Sequence, residues 1–369
     1  MKTIMSVIVL LLTGTLSALA QTRPVTVDDV LGLKTVSSPA VSPDGSQVLY
    51  TVRQWEPERD RMESRTRIWK VAVSGGPARQ LTFGERGDSQ PQWSPDGHYV
   101  SFVSARGTGT GEDAPRAQIY VMRADGGEAW KLTDLKEAVS SYSWSPDSKH
   151  IALVSNDTRS AADEEAIKKR DDERVFEGDF RYAHVSVVDV ESKQLTRATT
   201  GSTYTVSGAP SWAADSSGFV FSAKPTSMIR DYRSDIYMAR LAGNAVEQIS
   251  ANAGPDSNPQ WSPDGNSIAW VSEPTTAKAI GDGTLPSYIG NGHLMIYDVA
   301  KKRCATFTTA SSMSTPDRHS GALIAAAFSL SPANAPTPTR SRSMWRQAPT
   351  LSCRARRRCS TARAAPTAK

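Results

Sequence analysis

Five aspartates recur on one pattern: Asp44, Asp96, Asp147, Asp215 and Asp264 each lie two residues after a Ser, or after Ala213 in the fourth copy. Repeated carboxylates raise the question of calcium. One carboxylate per repeat is not the cluster of oxygen ligands that a calcium loop needs, so hydrogen bonding within a turn is the expected role. Five histidines, His98, His150, His184, His293 and His319, are scattered along the chain. His98 and His150 fall just past the aspartate turns, where surface placement is expected in place of metal binding or catalysis. Gly107-Thr108-Gly109-Thr110-Gly111 is glycine-rich but runs into Glu112-Asp113-Ala114-Pro115, not into a helix start, and reads as a loop between strands rather than a phosphate cradle. No G-x-S-x-G elbow, H-E-x-x-H pair or Walker loop occurs. The sequence therefore offers no catalytic, cofactor-binding or metal-binding residue, and it implies no cofactor.

The aspartates belong to a longer signature. Trp93-Ser94-Pro95-Asp96-Gly97 recurs as Ser42-Pro43-Asp44-Gly45, Trp144-Ser145-Pro146-Asp147-Ser148, Trp212-Ala213-Ala214-Asp215-Ser216 and Trp261-Ser262-Pro263-Asp264-Gly265, in steps of 52, 51, 68 and 49 residues. Each copy runs into a short strand of alternating apolar residues, such as Tyr99-Val100-Ser101-Phe102-Val103. A second strand follows in each period (Ile68 to Val73, Ile119 to Ala124, Val185 to Val190, Ile236 to Leu241, Leu294 to Val299). A further strand ends in Gln80-Leu81-Thr82, Lys131-Leu132-Thr133, Gln194-Leu195-Thr196 or Gln248-Ile249-Ser250. A period near fifty suits four short strands and their turns, which predicts an all-β propeller of about five to six four-stranded blades, incomplete as a ring. The tryptophans Trp93, Trp144, Trp212 and Trp261 are expected to pack between blades. The long step holds an insertion, Asn156 to Tyr182, crowded with charge; Glu164 and Lys168 lie four apart, as a helix would place them. A solvated excursion is the expected reading, with a substrate-facing or inter-domain element as the alternative.

The N-terminus has Lys2, an apolar run from Ile4 to Leu12 and small residues ending Ala18-Leu19-Ala20, the layout of a cleaved secretory signal. The run is too short to span a bilayer, so a periplasmic or secreted protein starting near Gln21, with no transmembrane segment after cleavage, is expected. The net charge of +5 misleads: residues 304–369 hold nine Arg and one Lys against one acid, Asp317, leaving the preceding 303 residues at −4. A nucleic-acid partner is thereby unsupported. Cys304, Cys353 and Cys359 all fall in or beside that tail, so neither a disulfide scaffold nor a thiol metal site is expected.

Three domains follow: a signal peptide at 1–20, WD40-like propeller repeats at 21–303 and a disordered basic tail at 304–369. The tail lacks Val, Tyr and Glu entirely. Codon arithmetic suggests its origin. Met344-Trp345 has one coding possibility, which in the frame one base earlier fixes Val and reads Asp-Val-Ala when the Ser343 codon ends in G and the Arg346 codon begins CG. Ser320 to Ile324 admits Trp-Ser-Pro-Asp in that same frame. A frameshift between about residues 303 and 319 is the expectation, tested by sequencing the coding DNA.

The repeats, the signal and the lead-in Asp28-Asp29-Val30-Leu31-Gly32-Leu33-Lys34 joined directly to Ser38-Pro39-Ala40-Val41-Ser42-Pro43-Asp44-Gly45 together resemble the N-terminal propeller of exported prolyl-oligopeptidase-family serine peptidases, over residues 25–303. Dipeptidyl and acylaminoacyl peptidases are of this kind. The resemblance implies a propeller that restricts access to small peptides, coupled to an α/β-hydrolase domain with a Ser-Asp-His triad. Those catalytic residues match nothing in this chain, so it is expected to be inactive alone and to meet peptide substrates only together with the missing catalytic domain. Some dipeptidyl members hold the substrate amino group with a propeller glutamate pair; the surroundings of Glu164-Glu165 do not match, and the pair stays unassigned. The signature is shared with TolB-like periplasmic propellers, whose implied alternative is binding of protein partners.

Overall fold

The computed structural model describes residues 24–58, 61–107, 114–169, 181–226, 233–251, 254–273 and 292–307. The expected signal peptide, most of the tail and the centre of the charged insertion lie outside these residues. After a short helix α1 (Val27–Leu31), capped reciprocally by Thr26 and Asp29, the described chain forms five four-stranded antiparallel sheets. Blade 1 holds β1 (Thr35–Val41), β2 (Gln47–Glu58), β3 (Arg61–Ala72) and β4 (Arg79–Gln80). Blade 2 holds β5 (Asp88–Trp93), β6 (Tyr99–Ser104), β7 (Gln118–Arg123) and β8 (Trp130–Lys131). Blade 3 has β9 (Val139–Trp144), β10 (His150–Asn156), β11 (Ala183–Asp189) and β12 (Leu195–Arg197), with helix α2 (Ala161–Lys168) in its insertion. Blade 4 has β13 (Thr205–Trp212), β14 (Gly218–Lys224), β15 (Asp235–Arg240) and β16 (Ala245–Gln248); blade 5 has β17 (Asp256–Trp261), β18 (Ser267–Ser272), β19 (His293–Asp298) and β20 (Arg303–Phe307). In every sheet each strand pairs with its neighbour in sequence, the meander that a propeller blade requires.

The signature is the turn between the first two strands. Gly45 N–H donates to Ser42 O (2.8 Å), Gln47 N–H to Ser42 Oγ (2.9 Å) and Ser46 N–H to Asp44 Oδ1 (3.0 Å), while the Ser42 hydroxyl donates to the same carboxylate. The Ser hydroxyl accepts the corresponding N–H of Tyr99, His150 and Ser267 at 2.9 Å in three other copies. The aspartates are therefore turn residues, as expected, and hydrogen bonds from Ser42 and Ser46 hold the Asp44 carboxyl down at about 2.

The last position of the turn has positive φ, 73° at Gly45, 74° at Gly97 and 71° at Gly265, which suits glycine. Copies three and four place Ser148 (60°) and Ser216 (59°) there. Their hydroxyls accept Asp96 N–H (3.0 Å) and Asp147 N–H (3.2 Å) from the turn of the preceding blade, so each strained serine ties two blades together. Ser148→Ala keeps the strain and loses the tie, and is expected to cost about 1 kcal/mol in chemical denaturation; Ser148→Gly relieves the one as it loses the other and should stay within about 0.5 kcal/mol.

The tryptophans reach backwards between blades. Trp93 Nε1 donates to Ala40 O (3.1 Å), Trp212 Nε1 to Ser143 O (3.1 Å) and Trp144 Nε1 to Ser101 Oγ (2.7 Å). Around them each joint buries its own apolar core. Leu49 and Ile68 meet Val100, Phe102 and Tyr120; Ile119 and Val121 meet Tyr142, Ile151 and Leu153; Val185 and Val187 meet Phe219 and Phe221; Ile236 and Met238 meet Ile268 and Trp270. Each such side chain, taken fully out of water, contributes about 1.5–3 kcal/mol, so the joints carry most of the cohesion of the array.

Three expectations are refined. The triplet in blade 3 that occupies the place of Gln80-Leu81-Thr82 is Arg197-Ala198-Thr199 and not Gln194-Leu195-Thr196, because Thr196 lies opposite Val187 in the ladder while Thr199 Oγ1 accepts Val185 N–H. The insertion is helical as predicted, though its visible pair is Glu165–Lys169 at 2.8 Å. Strand β20 continues through Phe307, opposite Leu294, so the compositional boundary at Cys304 falls within the fifth sheet.

Candidate functional site

The meander sorts the connections onto two rims. Signature turns and the β3–β4-type turns close one rim with a few residues each, whereas the second strands end and the third strands begin at the other, separated by many residues (105–117, 157–182, 225–234 and 273–292), part of each lying outside the described residues. In blade 1 the same connection is an extended hairpin, in which Gln47 to Glu58 pair in register with Ala72 to Arg61. Long connections held on a rigid scaffold are where a propeller can vary its surface without disturbing its joints, which makes this rim the candidate site.

Charged side chains are fixed around its base. On the hairpin, Arg67 Nη2 lies 3.1 Å and Arg65 Nε 3.5 Å from Glu56 Oε2, and Gln54 Nε2 donates to Glu56 Oε1 (2.8 Å); the Gln54 bond and the two guanidiniums hold Glu56 below the usual carboxylate range. At the root of the second connection, Asp88 is fully buried, with Arg106 Nη2 3.6 Å from its Oδ2. The Arg106 guanidinium rests over the rings of Phe102 (5.0 Å) and Tyr120 (5.1 Å) and borders a cavity of about 280 Å³ with Phe83, Gly84 and Glu128. Buried Gln118 clamps the next loop: its Oε1 accepts Thr133 Oγ1–H (2.8 Å) and Leu135 N–H (2.9 Å), and its Nε2 donates to Leu135 O and Glu137 O. Arg181, returning from the insertion, pairs with Glu137 at 3.1 Å.

Blade 3 supplies the arrangement closest to catalytic chemistry. His184 Nδ1 lies 3.2 Å from Thr199 Oγ1, and its Nε2 lies 3.6 Å from Asp157 Oδ2, a carboxylate also bound by Arg197. Hydroxyl, imidazole and carboxylate in sequence imitate a triad. Two observations remove that reading. Thr199 and His184 are 1% and 2% exposed, so no substrate carbonyl can approach the hydroxyl. Thr199 Oγ1 accepts Val185 N–H (2.9 Å) just as Thr82, Thr133 and Ser250 accept the N–H of Ile68, Ile119 and Ile236 in other blades, so it is a strand-ending cap repeated around the array. Burial and the Arg197 guanidinium push His184 below its usual range, against the pull of Asp157. The native state then holds fewer protons than the unfolded chain below about pH 6.5, so this histidine's contribution is present above that pH and is lost as pH falls. The melting temperature should drop between about pH 7.5 and pH 5.5, and drop less in His184→Gln.

The other histidines divide as expected or lie apart. His98 is exposed beside Asp96 (3.2 Å), and His150 stands between Asp147 (3.9 Å) and Asp189 (3.6 Å) on the signature rim. His293 opens β19 in an exposed position. Glu164 and Glu165 are exposed on α2. His319, Cys353, Cys359 and most of the glycine-rich loop lie outside the described residues. Among the described residues no cluster of three or more His, Cys, Asp or Glu side chains is placed to hold a metal ion, and no helix is long and apolar enough to cross a membrane. Asp88, Gln118 and the His184 group were not legible as a set, since their partners come from other strands; the recurrent Thr or Ser ending the outer strand was the available signal for the caps.

The five four-stranded meanders have the fold of a β-propeller, and residues 26–178 match the family model of the TolB beta propeller domain. Two of its curated relatives are named as peptidases, and a third, 33% identical over 31% of this chain and 38% of that protein, is an uncharacterized protein of Agrobacterium fabrum. The chain is 32% identical to an uncharacterized peptidase, YuxL, of Bacillus subtilis over 55% of this chain and 31% of that protein. It is 28% identical to dipeptidyl-peptidase 5 of Porphyromonas gingivalis over 65% of this chain and 37% of that one. The chain thus spans about a third of the length of the curated relatives it matches. A solved puromycin-hydrolyzing peptidase of Mycobacterium tuberculosis shares the fold at a TM-score of 0.51 with 10% identity, over 78% of this chain and 40% of that chain.

Proposed function

We propose that this chain is the non-catalytic, substrate-gating propeller of a prolyl-oligopeptidase-family serine peptidase acting on short peptides, and that it hydrolyses nothing by itself. The observation that carries the reading is that two curated relatives are named as peptidases and are matched over only 31% and 37% of their lengths. The loop-bearing rim, with its fixed Glu56–Arg67, Asp88–Arg106 and Glu137–Arg181 pairs, supplies a charged border that peptides of the wrong size or charge would meet first. Thr199 and His184 are buried, so their hydroxyl–imidazole pair gives no accessible nucleophile, in keeping with inactivity. Purified chain should leave dipeptidyl and acyl-aminoacyl chromogenic substrates intact; turnover that survives further purification overturns the inactivity.

The second reading, a periplasmic propeller that works by binding envelope proteins, is favoured by the TolB family match over residues 26–178. One stoichiometric envelope protein co-purifying with the chain would support it. In either case export is part of the proposal, and the N-terminal sequence of protein recovered from the producing cells should begin near Gln21.

A further inference from the structure

The joints between blades follow one rule, and the array ends on two half-joints that obey it. On the third strand two positions face the following blade: in blades 2, 3 and 4 they are Ile119 and Val121, Val185 and Val187, Ile236 and Met238, none more than 6% exposed. In blade 1 they are Ile68 and Lys70, the ammonium of which donates to Ala124 O. In blade 5 the same two positions are Leu294 and Ile296, only half-buried, and Val271 is half-buried where its counterparts Val103 and Val154 are 5% and 1% exposed. The opposite face shows the converse. Val100 and Phe102 of blade 2, like Ile151 and Leu153 of blade 3, are fully buried against the blade before them. Their counterparts in blade 1, Val48 and Tyr50, are half-buried, and on β1 Val36 and Val41 are 64% and 60% exposed. Among the described residues no sheet joins a strand of blade 1 to one of blade 5.

We propose that these two faces bind each other between molecules: the Leu294/Ile296 face of one copy docks on the Val36/Val41/Tyr50 face of a second copy, head to tail. The occupant follows from the joints inside the chain, where in blades 2, 3 and 4 a pair of apolar residues on the third strand meets the apolar second strand of the next blade. A second copy presents that chemistry in that order. The two surfaces differ, so the contact is heterologous and propagates, and it does not close as a two-fold dimer. Apolar patches of this kind on a protein surface seek burial.

The prediction is read by sedimentation velocity on the full chain. Wild type should show a mass above the monomer that grows over about a hundredfold rise in concentration. Val41→Glu spoils only the blade 1 face and Ile296→Glu only the blade 5 face, so each variant alone should sediment as a monomer. Mixed in equal amounts, the intact blade 5 face of the first variant and the intact blade 1 face of the second should give a discrete one-to-one dimer. Circular dichroism of each variant checks its folding, and Leu294→Glu replaces Ile296→Glu if that variant is unfolded. A monomeric wild type at every concentration, meaning that the faces are covered within one molecule, overturns the proposal, and so does a mixture that stays monomeric or variants that still associate.

Discussion

Phe221→Ala is expected to remove about 3–5 kcal/mol of stability, measured by urea denaturation followed by circular dichroism. The side chain is fully buried at the joint of blades 3 and 4, with ring contacts to Phe219 (6.0 Å), Tyr204 (6.0 Å) and Tyr237 (5.7 Å). Its loss therefore leaves a cavity lined by aromatic groups, held by two sheets whose own hydrogen bonds resist collapse. Domains of this kind hold about 5–15 kcal/mol in total, so this one truncation takes a large share of it. An array in which each blade touches only its neighbours has a further consequence: weakening a central joint should split one unfolding transition into two. Val246→Ala, at a position 36% exposed on β16, should change stability by less than about 0.5 kcal/mol.

Arg106→Ala comes next in size. It leaves the fully buried Asp88 carboxylate without the cation 3.6 Å away and strips the guanidinium from above Phe102 and Tyr120. Breaking one half of a buried charge pair costs about 3–5 kcal/mol when both partners are dry; with Arg106 29% exposed on its side chain, about 2–3 kcal/mol is the expected loss. Adding Asp88→Asn should recover much of that loss, because the residue left behind is then neutral. If the double variant is as unstable as Arg106→Ala, the cost lies in lost packing over the rings and not in the uncompensated charge.

Much of this molecule could be read before its structure, and the reason is local chemistry. Ser42, Asp44 and Gly45 make the turn with bonds spanning at most five residues, so the pattern of residue types is sufficient to recognise it. The strands beside it alternate in residue type, and the tryptophans before the turn pack into the joint with the preceding blade. Register was less legible. Gln194-Leu195-Thr196 looks like its counterparts in other blades, yet β11 and β12 are joined by a tight turn in which Asp189 N–H donates to Gln194 O and Lys193 adopts positive φ. The cap spacing itself is unchanged, 14 residues from Val185 to Thr199 as from Ile68 to Thr82. The tight turn lets the ladder run on to Val188 opposite Leu195, so Gln194-Leu195-Thr196 falls at the turn end of the strand, where β3 and β7 are followed by Gly-Gly loops. The His184 group was beyond reach for another reason. Asp157, His184 and Arg197 are brought together by the root of an insertion and by two strands, and nothing in their spacing along the chain encodes it.

The candidate rim stands between these cases. That the insertion would be helical and charged follows from Glu164 to Lys169; that its return is anchored by Arg181 to Glu137, across from the loop held by Gln118, requires the sheets to be in place. The same holds for the open faces of blades 1 and 5, which no residue pattern distinguishes from the covered faces between.

The central claim is that this propeller is the gating part of a serine peptidase, and the coding DNA tests it most directly. Sequencing through and beyond the codons for residues 303–369 should reveal, in the shifted frame, Trp-Ser-Pro-Asp near residue 320 and Asp-Val-Ala near residue 344, followed by a frame encoding G-x-S-x-G. A sequence that yields neither repeat in that frame and no G-x-S-x-G downstream would contradict the peptidase reading and leave the protein-binding propeller in its place.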